Sequence, residues 1–106
     1  MLPKKKRVTK EIFQTIMEKG SVVSGSFFIL HYLKQDSPKY AFVVPKKIAQ
    51  TAVERNSLRR KGYNILRLYD LKSFAGIFFY KKEALNVSLA EIEKDVDFLL
   101  KRAKII

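Results

Sequence analysis

Lysine, arginine and amide side chains gather in one segment of the chain, from Pro45 to Arg67. This segment holds seven Lys or Arg residues and a single acid, Glu54. Arginine binds a phosphate through two parallel hydrogen bonds, whereas lysine contributes a compact positive charge. Asn56 adds a side chain that can hydrogen-bond a base edge, a ribose hydroxyl or a phosphate. These residue types predict a polyanionic partner, although a solvated helix face explains the charges alone about equally well.

Side chains that could perform catalysis are scarce. The chain has no cysteine and one histidine, His31, so a Cys–His pair is excluded and a transition-metal cluster is not expected. Glu93 and Asp97 would share one helix face, an arrangement that a two-metal nuclease uses. A solvated helix face is the much commoner reason for such a pair. We therefore predict no catalytic residue and no metal site in the protein itself.

The net charge is concentrated in the first two thirds of the chain. Twenty-two Lys and Arg residues stand against ten Asp and Glu, a formal net charge of +12. Residues 1–69 contribute 15 basic and 4 acidic side chains, and residues 70–106 contribute 7 and 6. This asymmetry favours a basic face that binds nucleic acid. No apolar run reaches the ~18–20 residues of a membrane span, and we expect a cytoplasmic protein with no membrane partner.

The 106 residues predict one domain, 1–106, that begins with a basic tail over residues 1–8. Thr9 and Gly20 are suited to the two ends of a first helix. Ser26–Leu33 and Tyr40–Val44 have the aromatic and branched residues of strands, and a turn at 35–38 suggests that they pair as a hairpin. Residues 46–48 are predicted to be a short third strand or a loop.

The second half of the chain predicts a long helix, a strand and a last helix. The long helix runs from Thr51 to about Tyr69, Ile77–Tyr80 reads as a buried strand, and Ser88 begins a capping box. The fold class is therefore α+β, with about four strands in a small mixed sheet and three helices in the order α-β-β-β-α-β-α. On the long helix, an apolar face contains Gly62, which we expect to allow close packing on the sheet.

Two stretches of sequence resemble the signature of the ribonuclease P protein family. The first is Val43-Val44-Pro45-Lys46-Lys47-Ile48, and the second is Ala52-Val53-Glu54-Arg55-Asn56-Ser57-Leu58-Arg59-Arg60. The order of elements resembles the family over nearly the whole chain. Two positions depart from the pattern. Ser57 stands where the family usually has a second arginine, and the connection Ala49-Gln50-Thr51 is about one residue longer and lacks a common glycine.

The resemblance implies a left-handed crossover through the long helix and two RNA-binding surfaces. One surface would bind the catalytic RNA of ribonuclease P through Lys46, Lys47, Arg55, Asn56, Arg59, Arg60 and Arg67. The other would be a cleft between the first helix and the sheet that binds the 5′ leader of precursor tRNA through Phe13, Met17 and His31. For Phe13 and Met17, burial in the core is an equally good interpretation, and for His31 so is a solvent-facing strand position.

The function implied by the resemblance is that of a ribonuclease P subunit, which assists removal of the 5′ leader from precursor tRNA. The RNA partner would supply the chemistry with bound Mg²⁺, and the product would carry a 5′-phosphate. Two other functions fit parts of the sequence. A structural protein of another ribonucleoprotein, such as the ribosome, fits the composition equally well. A nuclease active alone would depend on Glu93 and Asp97.

Overall fold

The computed structural model describes residues 7–36, 38–69, 71 and 74–106, so residues 1–6 of the predicted basic tail lie outside it. Within these ranges, three α-helices and four strands follow one another in the predicted order. The helices are α1 (Lys10–Lys19), α2 (Ala52–Leu66) and α3 (Leu89–Arg102). The strands are β1 (Ser21–Ser24), β2 (Phe28–Lys34), β3 (Lys39–Val43) and β4 (Phe74–Tyr80), with a 3-10 helix at Lys82–Ala84. No helix in the described ranges is long and apolar enough to cross a membrane.

Each α-helix begins at a side chain that accepts a hydrogen bond from an N–H of its first turn. Thr9 accepts from Ile12 at 3.2 Å, and Ser88 accepts from Glu91 at 3.3 Å, as the sequence predicted. Thr51 caps α2 by accepting from the Glu54 N–H at 3.1 Å. These caps satisfy backbone donors that have no partner within the helix, so three local signals define where the helices begin.

The four strands form one mixed sheet in the order β1-β2-β4-β3. The predicted hairpin between β2 and β3 is wrong, because β4 lies between them, antiparallel to β2 and parallel to β3. α2 is the connection from β3 to β4, and the left-handedness of this crossover stays an expectation of the family resemblance. Six of the seven residues of β4 are buried, which is the pattern of a central strand and not of an edge strand.

The predicted number of about four strands is confirmed, and for residues 46–48 the loop alternative is the correct one. Residues 46–48 form a turn, in which the Ile48 N–H donates to the Pro45 carbonyl at 3.0 Å. The remaining strand is β1, which pairs with β2 in the hairpin that the chain does form. β1 is short and largely exposed, with serine at both ends, so its sequence carries little of the alternating apolar signal of a strand.

The two faces of the sheet are covered unequally. On the closed face, side chains such as Phe28, Phe42 and Phe78 pack with α2 and α3 in the main core. On the open face, Ala75 and Ile77 pack with Ile16 of α1 in a much smaller cluster. Because α1 has only ten residues, it spans about 15 Å and leaves part of the open face uncovered.

Two close contacts fix the layers on the closed face. A Cβ atom at Gly62 of α2 would lie 2.5 Å from the Phe42 ring, so the predicted reason for a glycine in this helix is confirmed. On α3, the buried Asp95 carboxylate accepts from three backbone N–H groups, those of Ser26 and Phe27 at 2.8 and 2.9 Å and that of Phe28 at 3.2 Å. Asp95 therefore ties α3 to the turn between β1 and β2.

Candidate nucleic-acid interface

The start of α2 is held by an arginine of the family motif. Arg55 is half-buried, and its Nη1 donates to the carbonyls of Ala49 and Gln50 at 3.0 and 2.9 Å. The side chain thus folds back onto the connection that precedes the helix. A guanidinium has five N–H donors, so Arg55 can stabilise this connection and still present donors to a phosphate.

Further along α2, six residues line a shallow basic groove of about 190 Å³. We call it the arginine groove, and its lining residues are Asn56, Arg59, Arg60, Tyr63, Asn64 and Arg67. Arg59 donates a hydrogen bond to the Asn56 side-chain oxygen, which orders the two side chains together. The groove gathers four of the predicted RNA-binding residues on one side of the helix.

Tyr63 forms the rigid part of the arginine groove. Its hydroxyl accepts a hydrogen bond from the Phe42 N–H at 3.3 Å, and its ring packs edge-on against Phe42 with centroids 5.2 Å apart. The aromatic ring is therefore fixed by the sheet, whereas the arginines around it are exposed or half-buried. An aromatic ring held in place beside positive charge suits a nucleic-acid contact.

A larger cavity of about 650 Å³ lies between α1 and the open face of the sheet. We call it the α1 cleft. Its apolar lining comes from Met17, Ile29, Phe79, Pro45 and Ile48, and His31 and Tyr80 also contribute. Three lysines complete it: Lys47, Lys81 and Lys82. The cleft therefore combines apolar and aromatic surface with positive charge.

His31 and Lys81 occupy defined positions in the α1 cleft. The His31 ring meets Phe79 edge-on, with centroids 5.2 Å apart, and burial lowers the pKa of His31 below its usual value. Burial therefore favours the uncharged imidazole in the free protein. Lys81 Nζ donates to Ser24 Oγ at 2.8 Å and to the Gly25 carbonyl at 2.7 Å, which holds this cation at the turn between β1 and β2.

Like Arg55, the predicted site residues Phe13 and Lys46 line neither the arginine groove nor the α1 cleft. Phe13 is half-buried against the Ile16, Ala75 and Ile77 cluster, one turn before Met17 on α1. Lys46 is exposed in the turn after β3, beside Lys47, which does line the cleft. The structure thus brings Met17, His31 and Lys47 together in the cleft, and it places Phe13 beside the Ile16, Ala75 and Ile77 cluster.

Comparison with known proteins identifies the family. The family model described as Ribonuclease P matches residues 2–104. A ribonuclease P protein component from Syntrophomonas wolfei is 33% identical over 109 residues, covering 97% of this chain and 91% of the relative. A second ribonuclease P protein component, from Nitratiruptor, is 26% identical and covers 91% of this chain and 89% of the relative.

The chain belongs to the ribonuclease P protein family.

Solved structures of ribonuclease P proteins have the same fold. The Staphylococcus aureus protein, solved as a mutant with defective mRNA degradation activity, superposes with a TM-score of 0.87 at 24% identity, covering 97% of this chain and 92% of that one. The Thermotoga maritima protein gives a TM-score of 0.81 at 24% identity, covering 91% of this chain and 96% of that one. At this identity the likeness concerns the fold.

The ribonuclease P motif in this chain departs from the usual pattern at Ser57. Ser57 is exposed on α2 and does not line the arginine groove, whereas Asn56 and Arg59 on either side of it in the motif do. The longer connection before α2 is the segment to which Arg55 is hydrogen-bonded. The serine at position 57 therefore leaves the lining of the groove unchanged.

Several residues of the two surfaces were not among the predicted site residues. In the arginine groove these are Tyr63 and Asn64, and in the α1 cleft the most informative are Phe79, Lys81 and Lys82. The signal for Tyr63 is helical periodicity, since steps of 100° per residue place it on the same flank of α2 as Asn56 and Arg60. Phe79 was missed because it belongs to a strand that was predicted to be buried. It is accessible because α1 is too short to cover it.

Proposed function

We propose that this chain is the protein subunit of ribonuclease P, acting in the cytoplasm on the 5′ end of precursor tRNA. The role in tRNA 5′ processing follows from the family. The observation that carries the finer assignment is the pair of separate surfaces on one small domain, an arginine groove and an apolar, lysine-lined cleft. Two such surfaces suit a protein that contacts two RNA elements at once.

The arginine groove is proposed to bind the catalytic RNA. Arg59, Arg60 and Arg67 offer donor groups for phosphates along a helix face, and Asn56 adds a hydrogen-bonding amide. Arg55 would contribute from the start of the helix, and Lys46 and Lys47 from the turn after β3. Contacts to phosphates position a protein on RNA without reading its sequence, so this surface would set the register of the subunit.

The α1 cleft is proposed to bind the single-stranded 5′ leader. A base can stack on aromatic side chains while nearby lysines attract its phosphates. His31 and Phe79 provide the rings, Met17 the apolar wall on α1, and Lys47 and Lys82 the positive charge. Phe13 would support this wall, because it packs against the Ile16, Ala75 and Ile77 cluster one turn earlier on the same helix.

The hydrolytic chemistry is proposed to reside in the RNA partner, with Mg²⁺ held mainly by RNA. Within the described ranges, no group of three His, Asp or Glu side chains is placed to hold a metal ion. Asp97 accepts from the Tyr69 hydroxyl at 3.0 Å and pairs with Lys101 at 2.8 Å. The Lys101 hydrogen bond holds the pKa of Asp97 below its usual range. These partners favour a structural role for Asp97 over a nuclease site shared with Glu93.

Reconstitution tests the function directly. Purified protein is added to a ribonuclease P RNA and precursor tRNA at low Mg²⁺, and release of the 5′ leader is measured. We expect the protein to stimulate cleavage by the RNA and to show no 5′-specific cleavage alone. Binding without stimulation would instead support a structural ribonucleoprotein. Cleavage by the protein alone that disappears in Glu93→Ala or Asp97→Ala would support the independent nuclease.

Replacing Arg60 by Ala tests the groove. If Arg60 makes one phosphate contact, the slope of log K against log salt for the catalytic RNA should become shallower by ~0.9. Lys94→Ala is the control, because Lys94 is an exposed cation on α3 that does not line the groove or the cleft. An unchanged slope and affinity in Arg60→Ala would remove this residue from the RNA interface.

A further inference from the structure

A third basic pocket, of about 440 Å³, lies where three elements end. We call it the terminal pocket. Its cations are Lys19 at the end of α1, Lys34 at the end of β2, and Arg102 and Lys104 at the end of α3. Tyr32 and Ser21 also line it, and its described lining contains no acidic residue. All four cations are exposed.

The helix ends explain only part of this cluster. A cation in the last turn of a helix is stabilised by the partial negative charge of the free carbonyl groups. This accounts for Lys19 and for Arg102, which end α1 and α3. It does not account for Lys34, which ends a strand. The position of Lys34 beside the cations of the two helix ends is therefore not explained by the helix dipoles.

The backbone at Lys104 supplies a second, independent observation. Lys104 has φ 60°, and it is the one non-glycine residue of the described chain with a positive φ. Its N–H donates to the Lys101 carbonyl at 3.0 Å, and the Ile105 N–H donates to the Leu100 carbonyl at 2.9 Å. These two bonds form a Schellman cap, in which glycine is the usual residue. A lysine is strained in this conformation, and such strain clusters where a side chain has a function.

The terminal pocket lies close to the α1 cleft. Met17 of α1 lines the cleft, and Lys19, two residues later, lines the pocket. On β2, His31 lines the cleft and Lys34 lines the pocket. Three strand residues span about 10 Å, and the side chains of His31 and Lys34 point to opposite faces of the sheet. A strand of RNA that leaves the cleft therefore turns around the end of α1, past Lys19, to reach Lys34 and the end of α3.

We propose that the terminal pocket binds phosphates of the distal 5′ leader, upstream of the part held in the α1 cleft. The inference rests on the proposed function, since it extends the path of the same RNA strand. Lys34 and Lys104 supply charge, Arg102 supplies paired donors for one phosphate, and the Tyr32 hydroxyl lies in the lining as a further hydrogen-bonding group. The site reads backbone charge and carries no base specificity.

The variant Lys104→Gly separates folding from binding. Glycine relieves the left-handed strain, so the melting temperature of the protein should rise. The same change removes a cation, so affinity of the holoenzyme for a long-leader precursor should fall by roughly two- to five-fold, the worth of one exposed ion pair. The slope of log K against log salt should become shallower by ~0.7 for each lost contact to a single strand. Opposite signs for stability and binding are not expected of a purely structural residue.

Three ligands and three further variants complete the experiment. Holoenzyme binding is compared for mature tRNA, a short-leader precursor and a long-leader precursor. Lys34→Gln should behave like Lys104→Gly in binding, Lys104→Arg should retain affinity, and Lys94→Gln is the control on α3. The loss should appear with the long leader alone. Equal losses for all three ligands would assign the pocket to the catalytic RNA and overturn the proposal, as would no loss at all.

This outcome is distinguishable from failure of the proposed function. Holoenzyme made with the unmodified protein must still cleave the short-leader precursor at low Mg²⁺ if the chain is a ribonuclease P subunit. If that cleavage persists and substitution of Lys34 and Lys104 does not change the affinity for the long-leader precursor, only the proposed role of the terminal pocket is rejected. If that cleavage is absent, the proposed function itself fails, whatever the leader length.

Discussion

The two faces of the sheet use the same strands for different purposes. Neighbouring residues of β4 show this most clearly, since Phe78 is fully buried on the closed face and Phe79 is half-buried on the open face. Phe78 packs against the rings of Phe28 and Phe42, with centroids 6.0 and 4.7 Å apart. Phe79 meets only His31 among the aromatic contacts of the described chain. One face carries stability, and the other retains surface for a ligand.

The difference arises from the helices and not from the strands. α2 and α3 together cover the closed face, whereas α1 alone covers the open face with ten residues. A strand alternates its side chains between the two faces, so apolar residues on both sides of β4 are unavoidable in a central strand. The short α1 turns one part of this apolar surface into a binding cleft. Each of the following predictions tests one side of that comparison.

The largest expected effect is on the closed face. Phe78→Ala should lower the free energy of unfolding by about 3–5 kcal/mol, because it removes a fully buried ring and leaves a cavity. Phe79→Ala, the matched change one residue later, should cost clearly less, because its ring is already half-exposed. Denaturant titration of both variants measures the two values. Equal losses would mean that the open face is as tightly packed as the closed one.

The next effect concerns the tie between α3 and the sheet. Asp95→Asn should cost about 1.5–3 kcal/mol, because a carboxylate that accepts from three backbone N–H groups becomes a neutral amide with one acceptor oxygen. Asp97→Asn is the control on the same helix, and its exposed pair with Lys101 should matter less. Thermal unfolding compares them. A larger loss in Asp97→Asn would contradict the role given to Asp95.

Features that depend on residues close together in the sequence could be predicted from it, whereas features that depend on long-range pairing or packing could not. The caps at Thr9 and Ser88 follow from neighbouring residues and were predicted. The close packing at Gly62 was predicted from a glycine within a helix, but its partner, Phe42, was not. The place of β4 in the sheet follows from long-range pairing, which periodicity does not encode, so the hairpin prediction was wrong. Residues such as Asn56 and Arg60 were found through a motif. Phe79 and Lys82 became site residues only through the way the elements pack.

The third prediction compares two phenylalanines near the open face. Phe79→Leu should spare most of the stability and lose part of a stacking contribution of ~1–3 kcal/mol to precursor tRNA binding. Phe13→Leu should cost less than ~1.5 kcal/mol of stability and leave leader binding intact, since this ring packs against the Ile16, Ala75 and Ile77 cluster and does not line the cleft. Holoenzyme affinities for precursor and mature tRNA measure both. A leader-specific loss in Phe13→Leu would restore Phe13 as the stacking residue.

The smallest expected effects concern the charge of His31. Burial lowers the pKa of His31 in the folded protein below its usual value. The unfolded chain therefore takes up a proton more readily than the folded chain. The contribution of His31 to stability is present above the unfolded pKa and is lost as the pH falls from the unfolded pKa through the lower, folded pKa. The melting temperature of the unmodified protein should thus drop relative to His31→Gln between about pH 7.5 and about pH 5.5. A constant difference would mean that the histidine is solvated.

Leader binding should depend on pH in the opposite direction from stability. A phosphate in the α1 cleft favours the imidazolium form and raises the pKa of His31 again, so binding takes up a proton. Affinity for precursor tRNA, measured against mature tRNA, should strengthen as the pH falls, and His31→Gln should abolish the change. If a base lies over His31 in place of a phosphate, stacking should not depend on the protonation of the imidazole. The ratio of affinities for precursor and mature tRNA should then stay constant with pH, and Phe79→Leu should still lower it.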